Sequence, residues 1–356
     1  MIEVMKDLFK IARDSGASDL HITVNVNPKM RLHGDLVAID KYPVMTPDDT
    51  KNVLYSILTP EQIAYFENMG EIDFAYQDEQ GGRFRANIFK QQGCVAGVFR
   101  ILPVKIFTID ELNLPPVVRT FAQLKKGLVL VTGPTGSGKS TTLAAIMNQV
   151  NRTRKDHLIT IEDPIEYVHH HNQCVVNQRE VGQDTLSFEN ALRGSLREDP
   201  DIILVGEMRD NETISVALTA AETGHLVFST LHTIGAASTI NRIIDSFPPH
   251  ARQQVRTQLA MVLEGVVTQR LIVNKEHNGR VAALEILCVN DAIRNMIRED
   301  KTHQINSTMQ TSGSVGMQPL DLHLARLCKE GKIAKKDALD NCIDVENFNR
   351  YMQNNT

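Results

Sequence analysis

The chain has 356 residues, more than one hydrophobic core usually holds, so two domains are expected. Lys and Arg number 38 against 43 Asp and Glu, a net charge of -5 that gives no global attraction to nucleic acid or to an anionic membrane. Apolar residues make up 42%, yet no apolar run approaches the ~18 residues a membrane span needs.

In chain order, Val4, Leu8, Ile11 and Ala12 set one face of a helix over residues 4–15, ended by Gly16. The opening "MIEVMKDLFKIARD" mixes charge with apolar residues and lacks a signal-peptide core. "DLHITV" and "KMRLHGDLVAI" read as strands around a turn. "TPDDTKNVLYSIL" opens with a Thr cap and an acidic first turn, which predicts a helix. "EIDFAYQDEQGGRFRANIF" is a hairpin pattern bent at Gly81-Gly82, and "CVAGVFRIL" adds a strand. Residues 1–101 therefore read as a small α+β domain with an antiparallel sheet. Pro103, Pro115 and Pro116 punctuate residues 102–120, read as a linker. From 121 to 356 apolar strands alternate with helices: "GLVLVTG", "HLITIED", "DIILVGE", "HLVFSTL". Such continuous apolar runs suit the buried parallel strands of an α/β domain. The tail after Asn347 is polar and reads as frayed. The 5 cysteines are scattered and never in CxxC spacing, which argues against a disulfide framework or zinc site and for a reducing compartment.

"LVLVTGPTGSGKSTTLAAIMNQV" carries Gly133-x4-Gly138-Lys139-Ser140, a full phosphate-loop pattern after a strand and before a helix. Gly133, Pro134, Thr135, Gly136, Ser137, Gly138, Lys139, Ser140 and Thr141 form the candidate nucleotide cradle. Glycines let successive backbone N–H groups curl around phosphate, and the helix N-terminus adds partial positive charge. Lys139 supplies a mobile charge for the β- and γ-phosphates of ATP, and the Ser140 hydroxyl can ligate Mg²⁺.

Hydrolysis needs acids beside this loop. "LITIEDPIEY" puts Glu162 and Asp163 after an apolar strand, and "DIILVGEMRD" puts Glu207 after another. One such carboxylate alone would more often be a cap or a surface group. Two at strand ends in a phosphate-loop domain point to metal and water handling. His232 closes the strand in "HLVFSTLHT" and can lie at the same rim to sense the γ-phosphate. His225 opens that strand, roughly 20 Å away along an extended run. It keeps two readings, structural or subunit contact.

"GPTGSGKSTT", "ITIEDPIE", "LREDPDIILVGEMRD" and "AETGHLVFSTLHT" follow the order found in secretion and pilus ATPases. The chain resembles that superfamily over nearly its whole length, and "ASDLHI" and "RFRANIF" look like its PAS-like N-terminal domain. "AIRNMIRED", Ala292 to Asp300, closely matches an element of the type IV pilus retraction ATPases. The resemblance implies a RecA-like ATPase domain preceded by a small PAS-like α+β domain. It implies a homohexamer in the cytoplasm, peripheral to the inner membrane at the pilus base. There it would dock on an inner-membrane platform protein, with a paralogous retraction ATPase as a further partner. ATP hydrolysis with Mg²⁺ would return pilin subunits to the membrane. Glu162 is then the water-activating acid, while Glu207 acts with Ser140 at the metal and its waters.

Arg83, Arg85 and Asn87 share one strand face, opposite Phe84, Ala86 and Ile88, and Arg100 lies on the next strand. The bland reading is a solvated polar face. The resemblance favours a nucleotide-contacting role for at least one of Arg83, Arg85 and Arg100. "AIRNMIRE" reads as an amphipathic helix with Ile293, Met296 and Ile297 on its apolar stripe and Arg294, Arg298 and Glu299 largely off it. The alternatives are an accessory retraction motor, an assembly or type II secretion ATPase, and a RecA-like nucleic-acid motor. Assembly ATPases usually carry an extra N-terminal domain and paired CxxC motifs, which this chain lacks. The acidic balance and the absence of a basic, aromatic strand-binding pattern speak against nucleic acid.

Overall fold

A computed structural model describes residues 1–353. The described chain divides into two compact units. One comprises Met1–Lys105 with Pro164–Val168, and the other Ile106–Asp163 with the residues from His169 onward.

The first unit begins with α1 (Ile2–Asp14), then β1 (Asp19–Ile22), β2 (Lys29–Leu32), β3 (Asp35–Ala38), α2 (Pro47–Tyr55) and α3 (Pro60–Met69). β4 (Glu71–Gln77), β5 (Arg83–Gln91) and β6 (Cys94–Leu102) follow. Thr46 and Thr59 each form a reciprocal capping box three residues ahead, which starts α2 and α3. The sheet is antiparallel with order β3-β2-β1-β6-β5-β4. Phe84, Ala86 and Ile88 are buried beneath α1, as strand alternation demands. The buried side of α1 is Met5, Leu8, Phe9 and Ala12, rotated from the expected face because Phe9 stacks on Phe84 with centroids 3.9 Å apart. Truncating Phe9 to Ala would cost about 3–5 kcal/mol.

The second unit contains α4 (Val117–Phe121), β7 (Gly127–Thr132), α5 (Lys139–Thr153), β8 (His157–Glu162), β9 (Val175–Glu180) and α6 (Phe188–Ser195). β10 (Ile202–Val205), α7 (Asn211–Glu222), β11 (Leu226–Leu231), α8 (Ala236–Asp245) and α9 (Arg252–Val262) come next. β12 (Leu263–Val273), β13 (Arg280–Cys288), α10 (Asp291–Arg298), α11 (Ile305–Thr311), α12 (Leu320–Lys329), α13 (Lys335–Asn341) and α14 (Val345–Gln353) complete it. The sheet order is β13-β12-β7-β11-β10-β8-β9, with only β12 and β13 antiparallel. Every residue of β7, β10 and β11 is buried, because helices cover both faces. One core lies with α6 to α11, another with α4 and α5, and a third packs α12 to α14 against β12 and β13.

Two readings of the sequence change here. Within the stretch taken as a linker, Ile109, Leu114 and Val118 are buried in the core of the second unit beside Val129 and Ile146. Proline stops secondary structure but does not keep apolar neighbours in water. The tail taken as frayed forms α14, whose Phe348 is wholly buried against Leu320, Leu324 and Ile333. Tyr351 and Met352 pack on the same cluster, so this short helix has an apolar face despite its polar composition. Residues 354–356 of that tail lie outside the described chain.

Candidate functional site

Strand order assembles the site. β7, β11, β10 and β8 are consecutive neighbours in the sheet and all parallel. Their carboxyl ends therefore lie along one rim, where open α/β sheets take their ligands. Gly133 follows β7, His232 follows β11, Gly206-Glu207 follows β10, and Glu162 ends β8. At about 4.8 Å per strand, His232 stands one strand from the loop, Glu207 two and Glu162 three.

The loop has the backbone its glycines predict. Gly133, Gly136 and Gly138 take φ of 140°, 75° and 85°, values that disfavour a side chain. A Cβ on Gly133 would also collide with the Gln269 carbonyl. Pro134, Thr135 and Gly136 are exposed, whereas Ser137 is buried. Lys139 is the first residue of α5, and Ser140 and Thr141 lie in its first turn, at the positive end of the helix dipole. The Lys139 ammonium donates to the Gly133 and Pro134 carbonyls at 2.9 and 3.1 Å. The buried Ser137 hydroxyl has no hydrogen-bond partner. A loop of left-handed glycines, an ammonium resting on its carbonyls and an orphaned hydroxyl fit a phosphate chain with its metal.

The acids are held by side chains. Glu162 Oε1 accepts from Thr160 Oγ1 at 2.6 Å and from Gln178 Nε2 at 3.1 Å. Gln178 sits opposite Thr160 on β9, and its own Oε1 accepts the His169 N–H at 2.7 Å. His169 is buried, and desolvation with the neighbouring His170 pushes its pKa down to about 4. Glu207 bridges two partners: His232 Nε2 lies 3.1 Å from Oε1 and Arg209 Nε lies 2.8 Å from Oε2. Gly206 makes the approach of the two acids possible. Its N–H donates to Ile161 O at 2.7 Å, and a Cβ there would sit 3.3 Å from the Glu162 Cα.

His225 is a capping residue: its Nδ1 pairs with the Ala220 carbonyl at 2.9 Å, at the end of α7. In the first unit, Arg83 Nη1 donates to the Ile165 carbonyl at 2.6 Å. Arg85 and Arg100 stand directly opposite each other on β5 and β6, both exposed, and Arg100 also pairs with Asp19 at 3.2 Å. In α10, Ile293 and Ile297 are buried and Arg298 is exposed. Arg294 does more than decorate the polar side. Its guanidinium caps the end of α9 through the Ala260, Met261 and Leu263 carbonyls and pairs with Glu264 at 2.8 Å.

A cavity of about 960 Å³ opens beside the start of α5, with Gly138, Thr141, Leu112, Leu114, Leu271 and Asn274 among its lining. That volume suits a nucleotide-sized ligand. Sequence reasoning missed Thr160, Gln178, Arg209 and Gln269. It also missed Glu285, a buried carboxylate on β13 that accepts the Ala236 N–H at 2.7 Å and so tethers α8, just after the His232 loop. Each acts on a residue distant in sequence, apart from Thr160 and Arg209. Those two lie two positions from their acids, and only there could a local signal have been read.

Comparison with known proteins places this geometry. The family described as "Type II/IV secretion system protein" matches residues 98–320. The type IV pilus retraction ATPase PilT of Pseudomonas aeruginosa is 49% identical, covering 96% of this chain and 99% of its own. The type IV pilus ATPase PilU of the same organism is 39% identical over 93% of this chain and 87% of its own. A crystal structure of the pilus retraction motor PilT with bound ADP superimposes with a TM-score of 0.91 at 46% identity, covering 98% of this chain and 99% of the other. With half the sequence shared and the same fold over nearly the whole chain, the chain belongs to the type II/IV secretion system protein family.

Proposed function

We propose that this chain is an ATP-hydrolysing motor that powers retraction of type IV pili. The observation that carries the ATPase reading is the strand order, which lines up the phosphate loop, His232, Glu207 and Glu162 on one rim. Whole-length identity of 49% to a retraction ATPase, against 39% to PilU, supports the retraction motor over a PilU-like one.

In this reading the loop from Gly133 to Thr141 wraps the phosphates with backbone N–H groups, and Lys139 leaves its loop carbonyls for the β- and γ-phosphates. The cavity beside α5 receives the base. The Ser140 hydroxyl and the Glu207 side would hold Mg²⁺, which when bound would supply positive charge against the phosphates. Glu207 stands a strand nearer the loop than Glu162, which supports that division. Glu162, steadied by Thr160 and Gln178, takes a proton from the attacking water. His232 hydrogen-bonds the γ-phosphate and, through its contact with Glu207, registers phosphate loss.

The arginines divide by geometry. Arg83 already serves Ile165. Arg85 and Arg100 place two exposed guanidinium groups opposite each other, two positive charges against the single Asp19 carboxylate on Arg100, which leaves room for a further anion. We assign nucleotide contact to that pair, within a homohexamer. Docking on an inner-membrane platform protein from the cytoplasm belongs to the same proposal. Among the described residues no helix is long and apolar enough to cross a membrane.

The test is phosphate release by the purified chain, with surface pili and motility scored in its host after deletion or Lys139→Ala. Turnover lost with Lys139→Ala, excess pili and lost motility are expected. Missing pili would instead identify an assembly motor.

A further inference from the structure

Nothing in the glycine pattern explains what fixes the peptide planes of the phosphate loop. We propose that Gln269 is a positioning residue for nucleotide binding, whose side-chain amide clamps the Ser137–Gly138 peptide so that the Gly138 N–H faces the phosphates. This rests on the phosphate-loop reading above.

Gln269 lies on β12, the strand beside β7, and is 3% exposed. Its neighbour Thr268 pairs with Thr132, the last residue before the loop, and their hydroxyls meet at 2.8 Å. Strand alternation then turns Gln269 to the other face, toward α5. There Nε2 donates to the Ser137 carbonyl at 2.7 Å, and Oε1 accepts from Thr142 Oγ1 at 2.7 Å. The orientation of the amide is forced, because a carbonyl only accepts and the NH₂ must face it.

In a trans peptide the C=O and N–H point opposite ways. Tying the Ser137 carbonyl back to β12 therefore turns the next N–H, that of Gly138, away from β12. Gly138 takes a left-handed φ of 85°, and a Cβ on it would come within 2.8 Å of Gln269 Nε2. The Gln269 backbone carbonyl occupies the place a Cβ on Gly133 would need. One residue thus bounds the first and last glycines of the loop, and Thr142 locks its amide. Without the clamp the Ser137–Gly138 peptide is free to turn over, presenting a carbonyl oxygen to phosphate. Only the fraction of loops in the right orientation then binds, so apparent affinity falls while a bound complex keeps its geometry.

The experiment uses the full chain in its native assembly. ADP affinity with Mg²⁺ is measured by calorimetry, with kcat and KM for ATP and the nucleotide-free unfolding midpoint. The variants are Gln269→Glu, Gln269→Leu, Thr142→Val and Thr142→Ser, with Lys139→Ala as reference. We expect Gln269→Glu and Gln269→Leu to weaken ADP and raise KM about 10- to 100-fold, with kcat within about 3-fold. Thr142→Val should weaken binding about 3- to 10-fold, and Thr142→Ser should restore it. Unchanged affinity in folded Gln269→Glu, or a fall in kcat with affinity intact, overturns the proposal. If Gln269→Leu fails to fold, Gln269→Glu and the Thr142 pair decide alone. Failure of the parent chain to bind nucleotide, or binding unaffected by Lys139→Ala, would overturn the phosphate-loop reading and this proposal with it.

Discussion

The glycine-rich loop and the acidic rim lie at the ends of neighbouring strands but differ in how far side chains shape them. The loop is shaped mainly by backbone: three left-handed glycines, a lysine resting on main-chain carbonyls, and a strand carbonyl packed where a Cβ would be, with the Gln269 amide as the side-chain tie. The rim owes its shape to side chains. Thr160 and Gln178 grip Glu162, while His232 and Arg209 grip Glu207. A backbone cradle tolerates little added volume but is indifferent to distant charge. A side-chain clamp tolerates volume better and responds to the loss of a single donor or charge.

That contrast can be broken or sharpened by mutation. The largest effect is expected from Lys139→Ala, which removes the loop's one mobile charge: turnover should fall by ~10³-fold and nucleotide binding with it. ATPase activity close to the parent's would refute the loop as the site. Glu207→Gln keeps the shape of the rim and removes its charge, so hydrolysis should fall ~10²–10³-fold while ATP remains bound. Single-turnover and binding measurements separate the two, and loss of binding alone would put Glu207 in the cradle instead. Gln178→Leu removes one donor from Glu162 and leaves Thr160 in place, and should cost ~10-fold in kcat with KM little changed. A KM effect there would mean the two halves of the site are not separately built.

The fourth measurement concerns stability. Burial holds His169 and His323 at a pKa of about 4, below the ordinary 6.5. His323 must stay neutral to accept the Leu284 N–H on Nδ1 at 2.9 Å. The unfolded chain binds these protons first, so stability is complete above pH ~6.5 and is lost as pH falls toward ~4. The unfolding midpoint should drop over that window, and His323→Gln should flatten part of the slope. A flat profile in the parent chain would show the histidines to be solvated. The smallest effect on hydrolysis is expected from Arg298→Ala. Arg298 is exposed and pairs only locally, with Asn295 at 2.7 Å, so ATPase should stay within about 2-fold. Retraction, scored by surface pili and motility, should nevertheless be lost. Equal loss of hydrolysis would place α10 in the catalytic circuit.

The same division explains what could be read early. A phosphate loop is a contiguous stretch between a strand and a helix, so its glycines, Lys139 and Ser140 were legible residue by residue. The hairpin of β4 and β5 and the stripe of α10 were legible for the same reason, since period and turn are local. Arg294 lies off the apolar stripe as the helical period predicts, but its capping role is not legible, because the carbonyls it caps lie 31 to 34 positions earlier. Gln269 was invisible because Ser137 and Thr142 lie 132 and 127 positions away.

Sequence alone therefore determined which groups are at hand: a glycine-rich loop with Lys139, two acids and a histidine at the ends of apolar strands, and a chain of alternating strands and helices. These follow from local spacing and side-chain type. Only the tertiary structure decided that β11 and β10 lie between β7 and β8, which sets His232, Glu207 and Glu162 at increasing distance from the loop. It also decided that the proline-rich stretch and α14 are packed rather than free. Strand pairing and burial depend on which distant segments meet, and that information lies in no single stretch of the chain.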